Sequence, residues 1–159
     1  MKENSRAKGK GSYVLLIELS REQTTVIGSL KVSRFPRGYY AYVGSALGGI
    51  SARVNRHLQR NKKLRWHIDY LLEKASLRDI IVCETEDRVE CTIARGLNRR
   101  FEAIPGFGSS DCKCPSHLYY DPDEMGQKIM AVLGSLGMKP EYFTKQSHGG
   151  WLDRYRAIG

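Results

Sequence analysis

Two hydrophobic periods alternate along the chain, and the change from one to the other marks its elements. Ser12 to Leu19 (SYVLLIEL) is apolar and β-branched, which predicts a central strand. Thr24 to Lys31 alternates Thr25, Ile27 and Ser29 against Val26 and Leu30 and reads as a second strand. The connection Ser20 to Gln23 is short enough for a hairpin between them. Phe35-Pro36-Arg37-Gly38 is turn chemistry, and Tyr39 to Val43 (YYAYV) predicts a third strand closed by Gly44. The period then lengthens. Ile50, Val54 and Leu58 form a helical stripe, and Trp66 to Ala75 turns Ile68, Leu71, Leu72 and Ala75 inward on a second helix. Leu77 to Glu84 returns to strand character, and Arg88 to Phe101 predicts a third helix through Val89, Thr92 or Ile93, Ala94 and Leu97. Pro105 to Pro115 is a Gly/Ser/Cys-rich loop, and Leu118 to Tyr120 reads as a short edge strand. Asp121-Pro122-Asp123-Glu124 carries helix-start chemistry: Asp as N-cap, Pro first, Glu three residues on. That helix is expected to run to about Gly134 or Gly137.

These elements predict an α+β domain, a small and mainly antiparallel sheet flanked by helices. Residues 1–11 read as a flexible basic tail, 12–120 as the domain, and 121–159 as a helix-containing C-terminal extension packed on it. The 159 residues suffice for one core without disulfides or metal, and 41% apolar content excludes a largely disordered chain. No run spans a bilayer, and Met1 to Gly11 has no apolar stretch after its charges, so no membrane association and a cytoplasmic location are expected. In that setting, four cysteines point to thiols or metal ligands rather than to a disulfide framework.

Charge changes the picture more than composition does. The net charge is +9, and residues 31–66 hold nine basic residues and no acidic one. The remaining 17 basic and 17 acidic residues cancel, so the whole excess lies in that block, which favours a polyanionic partner there. Arg53 and His57 share one helix face, as do Arg56 and Arg60, and Lys62, Lys63 and Arg65 continue the run. Such a face is either merely solvated or a phosphate site; the single sign of charge favours phosphate. Tyr40 and Tyr42 share a strand face opposite Tyr39, and each can serve as core, stacking platform or acid/base group. Gly44-Ser45-Ala46 suggests a close backbone approach beside them.

Cys112-x-Cys114-x-x-His117 could hold Zn²⁺ with a fourth ligand from Cys91, Cys83 or His67, or be a tight loop with partly buried thiols. Ser109, Ser110 and His117 of this loop could instead donate to a phosphate. Asp69 can reach Arg65 four residues back. His67 and Asp69 cannot act as one pair on a helix. Trp151, Tyr155, Arg154 and Arg156 form either a further nucleic-acid surface or a docked amphipathic tail.

Gly11-x-Tyr13 on a first strand, Tyr42-Val43-Gly44 on a later one, and Arg53-x-x-x-His57 on the following helix resemble the GIY-YIG nuclease superfamily. YAYVGSA, RVNRHL, WHIDYLL and FGSSDCKCPSHL are similar to a prokaryotic group of small GIY-YIG-related proteins, some joined to an endonuclease III repair domain. The resemblance runs from about Gly11 to Tyr120. It implies a metal-dependent endonuclease acting on DNA, with RNA less favoured, and a possible repair-enzyme partner. Tyr13 and Tyr42 would be the motif tyrosines, one of them helping to deprotonate the attacking water. Arg53 would hold the scissile phosphate, and His57 would assist proton transfer or contact phosphate. Glu90 would hold a single Mg²⁺ or Mn²⁺, although a helix-start carboxylate favoured by the dipole fits the same position. Ser110 or Asp111 falls where the superfamily has a late Asn. Gly44, Ser45, Arg56, Arg60, Lys62, Lys63 and Arg65 would line the nucleic-acid groove. Two other readings stay open: a binding module that does not cut, and a zinc-stabilised interaction domain.

Overall fold

A computed structural model describes residues 9–26, 32–46, 48–59, 61–109 and 112–144. Its centre is a six-stranded sheet in the order β6-β7-β4-β1-β5-β8, with every pairing antiparallel. The strands are β1 (Gly11–Leu19), β4 (Gly38–Ala46), β5 (Ser76–Glu84), β6 (Glu102–Ala103), β7 (Leu118–Asp121) and β8 (Glu141–Thr144). A separate two-stranded ribbon pairs β2 (Gln23–Val26) with β3 (Val32–Phe35). Among the described residues, four helices flank the sheet: α1 (Ile50–Leu58), α2 (His67–Leu72), α3 (Glu90–Asn98) and α4 (Gly126–Ser135).

β1 is apolar on both sides because both sides are covered. Tyr13, Leu15 and Ile17 face one core with Ile50 and Val54 of α1 and Ile68 and Leu71 of α2. Val14 and Leu16 face the other core with Ile93, Ala94 and Leu97 of α3 and Ile129, Val132 and Leu133 of α4. The expected α+β class is therefore observed as a three-layer arrangement.

Several local expectations are corrected. The β1–β2 hairpin does not form: β1 pairs with β4 and β5, whose apolar faces fit the two cores, and β2 pairs with β3. β3 runs into the turn expected at Phe35, and the ring of Phe35 is buried against Tyr40 and Phe107. β7 is not the edge, since β6 pairs beyond it. Asp121 does not cap a helix. It stays extended opposite Tyr39 as the last residue of β7, and α4 begins at Gly126, with Asp121 taking Lys128 at 3.0 Å instead. The C-terminal extension also supplies β8, which pairs with β5 along Asp79 to Val82. Of the expected tail, Gly9 and Lys10 are pinned: their carbonyls accept from Ile50 N–H and Thr85 N–H. Among the described residues, no helix is long and apolar enough to cross a membrane.

Candidate active site

The cavity of interest opens where the ends of β1 and β4 meet α1, α2 and the start of α3. Its volume is about 390 Å³, and its lining includes Tyr13, Tyr42, Arg53, Trp66, His67 and Glu90. Gly44, Ser45, Arg65 and Gly108 complete the wall. Residues from six separate stretches thus meet in one space. A larger cavity of about 580 Å³ lies elsewhere and contains none of them. There Arg78 pairs with Glu18, and Tyr142 donates to Asp79.

The strand register explains the two glycines of the motif. Tyr13 lies directly opposite Gly44, and its phenol crosses over that glycine; a Cβ at Gly44 would collide with the ring. Gly11 has φ +152°, and a Cβ there would collide with the backbone of Cys83 on β5. Glycine at 44 leaves room for the Tyr13 ring, and glycine at 11 lets β1 lie against β5.

Behind Tyr13 stands His57, on the inner face of α1 and only 3% exposed. Tyr13 Oη and His57 Nε2 are 2.8 Å apart, and the hydrogen bond can run in either direction according to the tautomer. His57 Nδ1 is buried with no hydrogen-bond partner. Burial drives the His57 pKa down to about 3, and nearby Lys62, Arg56 and Arg53 push the same way against Asp69. The ring is therefore neutral at physiological pH. Burial likewise raises Tyr13 well above the ordinary phenol value, helped by Tyr42 and opposed by Arg53. Tyr42 is also raised by burial and by the Glu90 charge. Both tyrosines enter as neutral phenols.

Arg53 is oriented at the rim. Its Nη1 donates to the Ser45 carbonyl at 3.0 Å, and its guanidinium lies 4.8 Å from the centre of the Trp66 ring. Arg56 stacks on the same indole at 4.3 Å, and Trp66 stays 36% exposed. The Arg56 fork is already occupied: Nη1 and Nη2 each reach an Asp69 carboxylate oxygen at 2.9 Å. Asp69 also accepts from the backbone N–H groups of Arg65 and Trp66. The expected Asp69–Arg65 ion pair is thus corrected: Arg65 gives its backbone N–H, and the guanidinium comes from Arg56, 13 residues away.

Lys62 Nζ donates to the carbonyls of His57 and Gln59, capping the end of α1. Lys63 is exposed, with its carbonyl accepting from Arg56. Arg60, Ser110, Asp111 and the C-terminal Trp151, Arg154, Tyr155 and Arg156 lie outside the described residues.

His67, near the start of α2, faces the groove rather than the zinc loop and lines the cavity. Its Nδ1 accepts the Gly108 N–H at 2.9 Å, which leaves the proton on Nε2. No period in the sequence connects positions 67 and 108.

Glu90, on the first turn of α3, borders the cavity with its side chain 29% exposed. Its Oε2 is 3.1 Å from Nδ1 of His117, within ion-pair reach though not aligned as a hydrogen bond. Burial lowers the His117 pKa, but Glu90 and Cys112 more than offset this and hold it above the ordinary value. On the far side of His117 are the thiols. Ligand atoms of Cys91, Cys112, Cys114 and His117 lie within 4.8 Å of one another, a group that could hold a metal ion. Cys83 is instead buried on β5, its thiol raised to about 11 by desolvation. Ser109 is buried beside this loop, with its carbonyl accepting from Cys112 N–H.

A model of the family described as Domain of unknown function DUF123 matches residues 12–138. No curated protein and no solved structure matches the chain.

Proposed function

The chain belongs to that family, and from the chemistry of its cavity we propose a metal-dependent nuclease that hydrolyses phosphodiester bonds. The observation that carries the reading is one cavity wall joining a buried tyrosine–histidine pair, an oriented arginine and a carboxylate. The resemblance of the same residues to GIY-YIG nucleases favours DNA over RNA as substrate.

In this reading Arg53 takes the scissile phosphate. One of its five N–H donors is held by Ser45 and the guanidinium also faces the Tyr13 phenol, which leaves further donors for a phosphate. His67 adds the Nε2–H donor. Tyr13 donates its phenol proton to neutral His57, so its oxygen can accept an O–H from the attacking water and aim it. Burial and the neighbouring charges of Lys62, Arg56 and Arg53 oppose a proton on His57. A phosphate on Arg53 offsets those charges and raises the basicity of the pair when the substrate is in place. Glu90 fits a single Mg²⁺ or Mn²⁺ that keeps its waters, since one carboxylate and a phosphate oxygen suffice. Such an ion, when bound, neutralises charge developing on the phosphate.

The test is incubation of the chain with plasmid, branched and single-stranded DNA and either metal, beside Arg53→Ala and Glu90→Ala. Each variant is expected to cut at least about 100-fold more slowly. Cleavage at the original rate in both variants would overturn the reading. One observation favours a second reading, a module that binds nucleic acid without cutting: the Glu90 carboxylate is shared with His117. Absence of cleavage on every substrate, with salt-sensitive binding that Arg53→Ala weakens, would select it.

A further inference from the structure

We propose that Cys91, Cys112, Cys114 and His117 form a mononuclear zinc site, with Glu90 as the outer carboxylate that orients its histidine. Three thiols and an imidazole match the donor set of a closed structural zinc site. Zinc–sulfur and zinc–nitrogen bonds of about 2.3 and 2.1 Å place tetrahedral ligand atoms about 3.5–3.8 Å apart. Cys112 Sγ and His117 Nε2 are at 3.4 Å, and no pair in the group exceeds 4.8 Å, so a contraction of about 1 Å or less closes the cage. A multinuclear iron–sulfur cluster spreads its cysteines wider than this. None of the three thiols forms a disulfide.

The surroundings also fit. His117 is 3% exposed, with Nε2 toward the thiols and Nδ1 toward Glu90. That arrangement, carboxylate then histidine then metal, fixes ring orientation and tautomer in zinc sites. The loop backbone is held independently of the thiols: Gly106 N–H donates to Pro115, His117 N–H to Phe107, and Val43 N–H to His117. Cys91 comes from the first turn of α3, so the ion would tie that helix to the loop that carries Gly108 into the cavity wall. The ligation stands apart from the nuclease reading; only the benefit to Glu90 as a cavity residue rests on it.

The experiment uses the full chain, purified reduced and without a metal-binding tag. Elemental analysis is expected to find about one zinc per chain, retained in Cys83→Ser and lost in Cys91→Ser and Cys114→Ser. Because a cysteine variant can fail to fold, the wild-type chain is also exchanged with Co²⁺. Strong visible ligand-field bands and a near-ultraviolet sulfur-to-cobalt band are expected, shifted in His117→Cys toward an all-sulfur spectrum. No bound zinc together with no cobalt spectrum overturns the proposal, as does iron–sulfur absorption or a His117→Cys spectrum identical to wild type. These readouts do not involve cleavage, so a chain that binds zinc and cuts nothing loses the nuclease reading alone.

Discussion

At the scale of single residues, His57 shows how packing sets chemistry. Its ring is enclosed by Tyr13, Tyr42 and Trp66, and burial holds its folded pKa near 3 against about 6.5 in an unfolded chain. The unfolded chain therefore binds the extra proton below pH 6.5. The stability from neutral His57 is complete above that pH and is lost as pH falls toward 3. Urea unfolding of the wild type is expected to lose up to about 1.4 kcal/mol per pH unit across this window relative to His57→Gln. Parallel pH curves for the two proteins would contradict the assignment. Position 57 was legible in the sequence because it lies four residues from Arg53 on the same helix. Its burial was not, since Tyr13, 44 positions earlier, supplies the contact.

At the scale of elements, one carboxylate joins α1 to α2. Asp69 is fully buried and takes the Arg56 fork, which is 23% exposed, together with two backbone N–H groups at the start of α2. Asp69→Asn keeps an acceptor for the backbone but leaves Arg56 without a countercharge. The expected loss is about 2 kcal/mol, below the 3–5 typical of fully buried pairs because water still reaches the guanidinium. Asp69→Ala should cost more, and chemical denaturation measures both. Periodicity placed the three helices before Gly106 and the strands β1, β4 and β5 because their faces are apolar over most of two turns or more, or over several alternations. It failed for β3, β6 and the start of α4. β6 is two residues long, and at Asp121 local helix-start chemistry competes with cross-strand pairing to Tyr39 and loses. The zinc candidate was half legible: the loop gives three ligands at close spacing, while the choice of Cys91 over Cys83 depends on packing, since Cys83 is buried in the core under α3 and Cys91 lies on the first turn of α3 within reach of the loop thiols.

At the scale of the whole molecule, the basic block of the sequence is divided by the fold. Arg34 pairs with Glu22 in the ribbon, Arg56 with Asp69, and Lys62 caps a helix, whereas Arg53 and Arg65 reach the cavity. Net charge alone therefore overstates how many cations meet a ligand. If nucleic acid binds here, log Kd should rise linearly with log salt, and Arg65→Ala should reduce that slope by about 1. Arg78→Ala, paired with Glu18 beside the other cavity, should leave it unchanged. Fluorescence anisotropy with a labelled duplex at several salt concentrations distinguishes the two.

The central position of β1 has a kinetic consequence. Tyr13 lies opposite Gly44 on one side and Val82 on the other, partners 31 and 69 positions along the chain. Neither neighbour is local, so the loop-closure entropy of both pairings must be overcome before the phenol has a cavity wall to join. During synthesis β1 precedes both partners, and its second edge stays open until β5 has followed β4. The residue at the heart of the pocket thus sits on a strand that no neighbour in sequence can pair.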